Sequence, residues 1–279
     1  MQVKELEAHV GLPLFDRSGR QVALTTAGEY MLVYARRMLA TLKDAEDAAA
    51  RLKGVELGQL VIGMVSTAKY FLPKLLARFR EEHPGVEIRL AVGNREQLVA
   101  LLHAGEVDIA IMGRPPKELA TRAEPFAAHP HVFVAPPGHA LVHAGTVLPG
   151  QLGDQPFLMR ESGSGTRAAL EQFLEAQHVT VSTAMEMSSN ETIKQAVMAG
   201  LGIAFLSLHT VMDELAHGRL ALLHAPGLPI LRRWFLVYPA HVPLTPAANR
   251  IRTEVLDLKG SFLPANDLAL AGLGDMPRR

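Results

Sequence analysis

The sequence predicts an α/β protein in which a short helix, a small hairpin and a long helix precede a two-lobed domain. Three observations carry this prediction. Residues 27–53 contain no proline and keep apolar residues at spacings of three and four. From residue 58 onward, short apolar runs alternate with amphipathic segments, which is typical of parallel strands covered by helices. The same alternation repeats after residue 129, which indicates two similar lobes.

The composition limits the classes of protein to which the chain can belong. Its 279 residues, 48% of them hydrophobic, suffice for about two domains with buried cores. The 28 basic and 28 acidic residues cancel, so a charged partner must be bound by a local patch. Without cysteine, the chain forms no disulfide, thiolate metal site or cysteine nucleophile. No apolar run has the length of a membrane helix and residues 1–10 lack a signal-peptide core, so we expect a cytoplasmic protein without a membrane partner.

The first 26 residues predict the end of a helix followed by a hairpin. Apolar residues recur at helical spacing up to Val10, and Gly11 is placed to end the helix. The polar turn DRSGR separates the short runs LPLF and VAL, which predicts two paired strands. Thr25 or Thr26 is expected to cap the next helix.

The long helix predicted over residues 27–53 carries one apolar stripe. Met31, Tyr34, Met38 and Leu42 begin this stripe. Such a stripe either docks on the helix's own domain or pairs with a second helix. Since nothing nearby offers a docking surface, we favour a dimerising linker helix.

The alternating region divides into two predicted lobes, because the late WFLVYPA strand and the helix after it return to the first unit. The predicted boundaries are about 58–128 plus 236–262 for lobe I, about 129–235 for lobe II, 58–262 for the whole domain, and 263–279 for a C-terminal tail. Two such lobes enclose a cleft, and open α/β sheets bind ligands beyond the carboxyl ends of their strands.

Polar loops follow the predicted strands of both lobes and would line this cleft. The candidate residues are Ser66, Thr67, Lys69, Asn94, Arg95 and Arg114 in lobe I, and Arg160, Ser162, Ser164, Gly165, Thr166 and Arg167 in lobe II. Backbone N–H groups at a helix start favour an anion, and guanidinium groups bind phosphate or carboxylate through paired hydrogen bonds. A single surface arginine is usually only solvated, and Ser66 or Thr67 could simply cap a helix. Together the residues predict a site for a small phosphorylated or carboxylated molecule.

The common catalytic and metal motifs are not matched. RESGSGTR, residues 160–167, lacks the lysine of a phosphate-binding loop and the spacing of a nucleophile elbow. GLGIAF precedes a strand instead of following one, so it is no dinucleotide fingerprint. His129 and His131 lack the helical spacing of zinc ligands, and we interpret them as loop histidines. We therefore predict no enzyme, no metal site and no cofactor.

The run VKELEAHVGLPLFDRSGRQVALTTAGEYML resembles the end of the winged helix-turn-helix of LysR-type transcriptional regulators, whose pattern combines L-E, G-x-x-L-F-x-R and L-T-x-A-G. The long helix and the two-lobed region resemble that family's linker and effector-binding domain, so the resemblance covers essentially the whole chain. Within the family, VSTAKYFLP, VGNREQL, IMGRPP and RESGSGTR are most similar to the CbbR regulators of Calvin-cycle operons.

This resemblance implies a type 2 periplasmic-binding-protein-like effector domain in a tetrameric, DNA-binding activator. Effectors of CbbR-like proteins are phosphorylated metabolites or nucleotides, so a sugar phosphate, phosphoenolpyruvate, NADPH or ATP is expected. The partners would be promoter DNA and further copies of the chain, from dimer to tetramer. By position, Gln2 and Lys4 match the recognition helix, and Arg17 and Arg20 match the phosphate-contacting wing.

Members of the family normally carry about thirty residues before the position of Met1, which supply the first helices of the DNA-binding domain. We therefore interpret residues 1–26 as a remnant of that domain, from a shortened chain or a misassigned start codon, and expect weak sequence-specific DNA binding. Two alternatives stay open, a small-molecule-binding protein without a DNA-binding role and an enzyme acting on a phosphate ester. The second lacks a recognisable general base.

Overall fold

The computed structural model describes residues 2–17, 22–52 and 58–257. The helices are α1 (Gln2–Val10), α2 (Thr26–Leu52), α3 (Leu72–Glu82), α4 (Arg95–Ala104), α5 (Ala140–His143), α6 (Pro149–Gly153), α7 (Gly165–Ala176), α8 (Asn190–Met198), α9 (Leu208–Ala216) and α10 (Pro246–Asp257). The strands are β1 (Phe15–Asp16), β2 (Ala23–Leu24), β3 (Gly58–Val65), β4 (Val86–Gly93), β5 (Ile109–Met112), β6 (Thr121–Ala135), β7 (Pro156–Arg160), β8 (Ser182–Met187), β9 (Ile203–Ser207), β10 (Ala221–Leu223) and β11 (Ile230–Pro239). Within the described ranges, no helix has both the length and the apolar character that crossing a membrane requires.

The N-terminal hairpin of β1 and β2 is held against α1. Gly11 ends α1 with a left-handed φ of 75°, as the sequence predicts. The Glu7 carboxylate accepts hydrogen bonds from the backbone N–H groups of Leu14 (2.8 Å) and Phe15 (3.2 Å). A Cβ atom on Gly28 would lie 2.0 Å from the Leu14 carbonyl oxygen, so only glycine lets α2 approach the hairpin this closely.

The long helix α2 begins with a cap and exposes its apolar stripe. The Thr25 hydroxyl accepts a hydrogen bond from the Gly28 N–H at 3.0 Å, so Thr25 is the cap of the two predicted candidates. Tyr34, Met38 and Leu42 are all more than half exposed. An exposed stripe of this kind suits pairing with a second copy of the helix, and dimerisation through α2 stays a prediction.

Strands β3 to β11 form one sheet that passes through both lobes. Parallel strands in the order β4-β3-β5 build lobe I, and parallel strands in the order β9-β7-β8 build lobe II. The predicted alternation of strands and helices is confirmed. The sequence did not indicate that β6 and β11 run antiparallel to each other between these groups and so connect the lobes. The predicted lobe boundaries fall inside these two strands and stay a prediction.

The amphipathic segment after β3, whose apolar spacing predicts one helix from Ala68 to His83, is divided into two elements. A 3-10 helix spans Ser66–Tyr70, and α3 begins only after Phe71. Pro73 lies in the first turn of α3, where its missing N–H is tolerated, whereas a continuous helix would need that N–H for a hydrogen bond to the Lys69 carbonyl. The interruption leaves Ser66 and Thr67 in a tight turn directly after β3.

Each lobe has two apolar cores. Phe79 and Leu98 are fully buried in the two cores of lobe I, and Phe157 and Ile193 in the two cores of lobe II. These cores fix the strands against α3, α4, α7 and α8, and thereby the strand ends that face the other lobe.

Candidate functional site

A cleft lies between the lobes at the carboxyl ends of β3, β4 and β5. The end of β7 and the start of α7 face these strands from lobe II. The space between the lining residues amounts to about 380 Å³ when its open mouth is counted. It is lined by Val65, Ser66, Thr67, Gly93, Asn94, Arg95, Gly113, Arg114, His129, Arg160, Ser164, Gly165, Thr166 and Arg232.

Most of the predicted effector residues lie in this lining. The residues brought together are Ser66, Thr67, Asn94, Arg95, Arg114, Arg160, Ser164, Gly165 and Thr166. They meet because parallel strands place their carboxyl ends on one edge of a sheet. Lys69, Ser162 and Arg167 do not belong to the lining, and their role in the site stays a prediction.

Two of the lining arginines are already paired with carboxylates. Arg160 is buried and donates to both oxygens of Glu161, at 2.8 and 3.0 Å, and to Asn190 Oδ1 at 2.6 Å. Arg95 donates to Glu118 at 3.1 Å. Their positive charges are therefore largely compensated before any ligand binds.

Arg167 and Lys69 also have carboxylate partners. Arg167 donates to Glu171 at 2.8 Å and to Glu186, and these hydrogen bonds raise the pKa of Arg167. Lys69 Nζ lies 3.2 Å from a carboxylate oxygen of Glu191. Both cations thus take part in ion pairs that do not need a ligand.

Arg232 is absent from the predicted set, yet it connects the two lobes. Its Nη1 donates to the Gly165 carbonyl of lobe II at 2.7 Å, and its Nη2 donates to the Gly113 carbonyl of lobe I at 2.9 Å. Burial, together with the positive charges of Arg114 and Arg95, lowers the pKa of Arg232 to about 10. In the described part of the chain, neither Arg232 nor the exposed Arg114 has a carboxylate partner. We call the contact of Arg232 with the Gly113 and Gly165 carbonyl groups the Arg232 bridge. The guanidinium groups of Arg232 and Arg114 thus lack a compensating negative charge among the described residues.

The loop before α7 reaches lobe I because it consists of small residues. The Ser164 hydroxyl caps α7 by accepting a hydrogen bond from the Thr166 N–H at 3.3 Å. Gly163 has a left-handed φ of 80°, and a Cβ atom there would lie 2.7 Å from Glu96 Oε2 on α4. The left-handed φ favours glycine at position 163, and the absence of a side chain there leaves room for Glu96.

A second connection between the lobes is centred on Glu191 at the start of α8, and we call it the Glu191 bridge. From lobe I, Tyr70 donates its hydroxyl hydrogen to this carboxylate, and Lys69 pairs with it. From lobe II, the buried Lys194 lies 3.0 Å from Glu191 and 2.9 Å from Glu214. Burial alone would raise the pKa of Glu191, but hydrogen bonds from Tyr70, Lys194 and Lys69 outweigh it and lower the pKa to about 2. The positive charges of Lys69 and Lys194 are therefore balanced by the carboxylates of Glu191 and Glu214.

His129 and His131 lie in β6, so the prediction that they occupy a loop is wrong. The proline between them suggested a loop, but the strand continues through it. His129 stacks on Trp234 with ring centroids 3.8 Å apart, and neither of its nitrogens has a hydrogen-bond partner among the described residues. Burial, together with the charges of His131, His209 and Arg232, holds the pKa of His129 well below its usual value, so the ring is neutral.

The predicted DNA-contacting residues lie at the other end of the chain. Lys4 on α1 is exposed, and Arg17 after β1 is exposed with one nitrogen 3.7 Å from the Glu7 carboxylate. The Gln2 side chain and Arg20 lie outside what the structure describes. Contacts of these four residues with DNA stay predictions.

Comparisons with known proteins assign both regions of the chain. The model of the LysR substrate binding domain matches residues 53–259, and that of the bacterial regulatory helix-turn-helix proteins of the lysR family matches residues 1–29. CfxR from Cupriavidus necator is 47% identical over 263 residues, covering 94% of this chain and 83% of that protein. CbbR from Rhodospirillum rubrum is 48% identical over 249 residues, covering 89% of this chain and 83% of that protein.

A solved structure is similar to the two-lobed region. The regulatory domain of Synechocystis PCC6803 CcmR in complex with 2-PG has a TM-score of 0.70 and 36% identity, over 72% of this chain and 97% of that chain. The matching regulators confirm the resemblance to CbbR regulators and the prediction that the chain is not an enzyme. The chain belongs to the LysR family of transcriptional regulators.

Proposed function

We propose that the chain controls carbon-fixation genes in response to a small phosphorylated metabolite bound between its lobes. LysR regulators bind promoter DNA and small effectors and form oligomers. The homology to CbbR and CfxR supports carbon-fixation genes as the target. The CcmR complex with 2-PG, or 2-phosphoglycolate, supports an effector that carries phosphate and carboxylate together.

The observation that carries this proposal is the uncompensated charge of Arg114 and Arg232 at the interlobe cleft. A phosphate group there would gain charge-assisted hydrogen bonds that no carboxylate of the described residues already occupies. Because Arg232 is hydrogen-bonded to both Gly113 and Gly165, a ligand that engages it acts on the contact between the lobes. A ligand that binds one arrangement of the lobes, open or closed, more tightly than the other would then shift the populations of the two arrangements.

The exposed stripe on α2 supports a route from the cleft to DNA. In a dimer joined through α2, a change in lobe arrangement would alter the spacing of the two N-terminal regions. Assembly into an activating tetramer is part of the proposal.

Calorimetric titration with 2-phosphoglycolate tests the effector. We expect saturable binding, with glycolate, which lacks the phosphate, binding far more weakly. Phosphoenolpyruvate, a sugar phosphate, NADPH and ATP should be compared by thermal shift, since ligand at one hundred times its Kd stabilises by about 2.7 kcal/mol. Equal binding of glycolate and 2-phosphoglycolate would contradict a phosphate-specific site.

Mobility-shift assays test the DNA part of the proposal. The probe is DNA from upstream of the carbon-fixation operon of the host, with a shuffled sequence of equal length as control. The proposal expects 2-phosphoglycolate to change the migration or footprint of the specific complex. An unchanged complex at saturating ligand would contradict effector control.

A further inference from the structure

His129 lines the cleft from β6, next to Arg232. A Cβ atom on Gly113 would lie 2.7 Å from His129 Nδ1 and 3.8 Å from Arg232 Nη2, so imidazole and guanidinium meet beside the same glycine. Because Gly113 has no side chain, the Nδ1 edge of the imidazole faces the cleft wall that Gly113 forms.

The ring of His129 is buried and lacks a hydrogen-bond partner among the described residues. Its side chain is 3% exposed, and both of its nitrogens lack hydrogen-bond partners within the described residues. The ring is held from the sides by stacking on Trp234, by the tilted ring of His131 at 4.3 Å and by the perpendicular ring of His209 at 5.8 Å. Buried polar groups are nearly always hydrogen-bonded, so an unpartnered imidazole in a cleft wall indicates a partner from outside the protein.

We propose that His129 is a specificity-determining residue of the effector site, which donates its Nδ1–H to an anionic oxygen held by Arg114 and Arg232. This inference rests on the proposed function and narrows it. Two guanidinium groups satisfy the two oxygens of a planar carboxylate, whereas a tetrahedral phosphate offers a third oxygen in a different direction. A third donor therefore selects phosphate at this end of the cleft. The neutral ring supplies a hydrogen-bond donor of fixed orientation and does not add a further buried charge.

Two substitutions separate this role from a structural one. His129→Phe keeps an aromatic ring to stack on Trp234 and removes the donor, while His129→Asn keeps a side-chain N–H near the position of Nδ1. Calorimetry with 2-phosphoglycolate should show about tenfold weaker binding for His129→Phe and recovery of most of the affinity for His129→Asn. Thermal unfolding of each variant checks that it folds.

A nitrogen-detected NMR titration of the wild-type ring gives a readout that a structural role would not move. Inorganic phosphate should shift the Nδ1 resonance of His129 saturably, whereas acetate at the same concentration should shift it little. This measurement decides the inference even when His129→Phe does not fold.

The outcomes distinguish the inference from the proposed function. Wild-type-like affinity of a folded His129→Phe, with binding lost in Arg232→Gln, overturns the role of His129 and leaves the proposed function standing. Absence of 2-phosphoglycolate binding to the wild type overturns the proposed effector, and the phosphate titration then decides the role of His129. A resonance that does not respond to phosphate, or responds equally to acetate, overturns the inference.

Discussion

Among the described residues, two charged bridges join the lobes beside a neutral hydrogen bond from Asn190 Nδ2 to Ser66 Oγ at 3.3 Å. The two bridges differ in how their charges are balanced. In the Glu191 bridge, one carboxylate accepts from Tyr70 and pairs with Lys69 and Lys194. In the Arg232 bridge, a guanidinium contacts two neutral carbonyl groups beside a second cation. The first bridge is complete in the protein alone, whereas the second gains from an added anion. Control of lobe arrangement by a metabolite is therefore expected on the Arg232 side.

Replacing Arg232 should weaken effector binding more than any other change at the two bridges. Arg232→Gln eliminates one of the two uncompensated charges, so we expect 2-phosphoglycolate affinity to fall about 10- to 100-fold. Arg233→Gln is the matched control, since Arg233 is the adjacent, exposed residue of β11. Calorimetric titration of both variants measures the effect. Equal losses in the two variants would show that net charge, and not the bridge, governs binding.

Removing Arg114 should have a smaller effect, because this side chain is exposed and solvent screens its charge. We expect Arg114→Ala to weaken 2-phosphoglycolate binding about fivefold and to make it less dependent on salt. Arg78→Ala serves as control, since Arg78 is an exposed arginine of α3 paired with Glu82, and its affinity should stay near that of the wild type. A loss in Arg78→Ala as large as that in Arg114→Ala would show that net charge, and not the position of Arg114, weakens binding.

Removing the charge of Glu191 should affect stability more than binding. We expect Glu191→Gln to lower the free energy of unfolding by about 1 kcal/mol at pH 7, a small value because the carboxylate is partly exposed. The pKa of Glu191 is about 2 in the folded protein and 4.5 ordinarily, so its contribution is present above about pH 4.5 and is lost as the pH falls towards 2.

Urea unfolding of wild type and Glu191→Gln at pH 7 and pH 3 measures this contribution, and the difference between them should shrink at pH 3. Glu171→Gln is the control, since it removes an exposed carboxylate from a pair within α7. A difference that grows on acidification would contradict the linkage. Weaker 2-phosphoglycolate binding in Glu191→Gln than in Arg232→Gln would reverse the roles of the two bridges.

The order of strands and helices could be predicted because each element carries its own periodicity, and strand order then placed most polar loops at one cleft. Which charged side chains form ion pairs, and which face the cleft, could not be predicted in the same way. Lys69 is paired with Glu191, which lies far along the chain and comes close to it only in the folded protein. Arg232 and Arg233 are adjacent in β11, and without the register of that strand the sequence does not say which one faces the cleft.

His129 shows a different limit of sequence reasoning. Its neighbouring proline argued for a loop, but the long strand β6 runs through that position because β11 pairs with it on one side and β9 on the other. Strand pairing of this kind joins residues that are far apart in the sequence, so the residues near His129 do not predict that it lies in a strand. The helix interruption at Phe71, by contrast, is explained by Pro73 two residues later, although the apolar spacing predicts one continuous helix.

A crystal structure of the protein with 2-phosphoglycolate would show directly whether the Arg232 bridge holds the effector. We expect the phosphate to lie between Gly113 and Gly165, within hydrogen-bond distance of Arg114 and Arg232, while the Glu191 bridge keeps its partners. A phosphate that contacts neither Arg114 nor Arg232, or a ligand outside the interlobe cleft, would contradict this expectation.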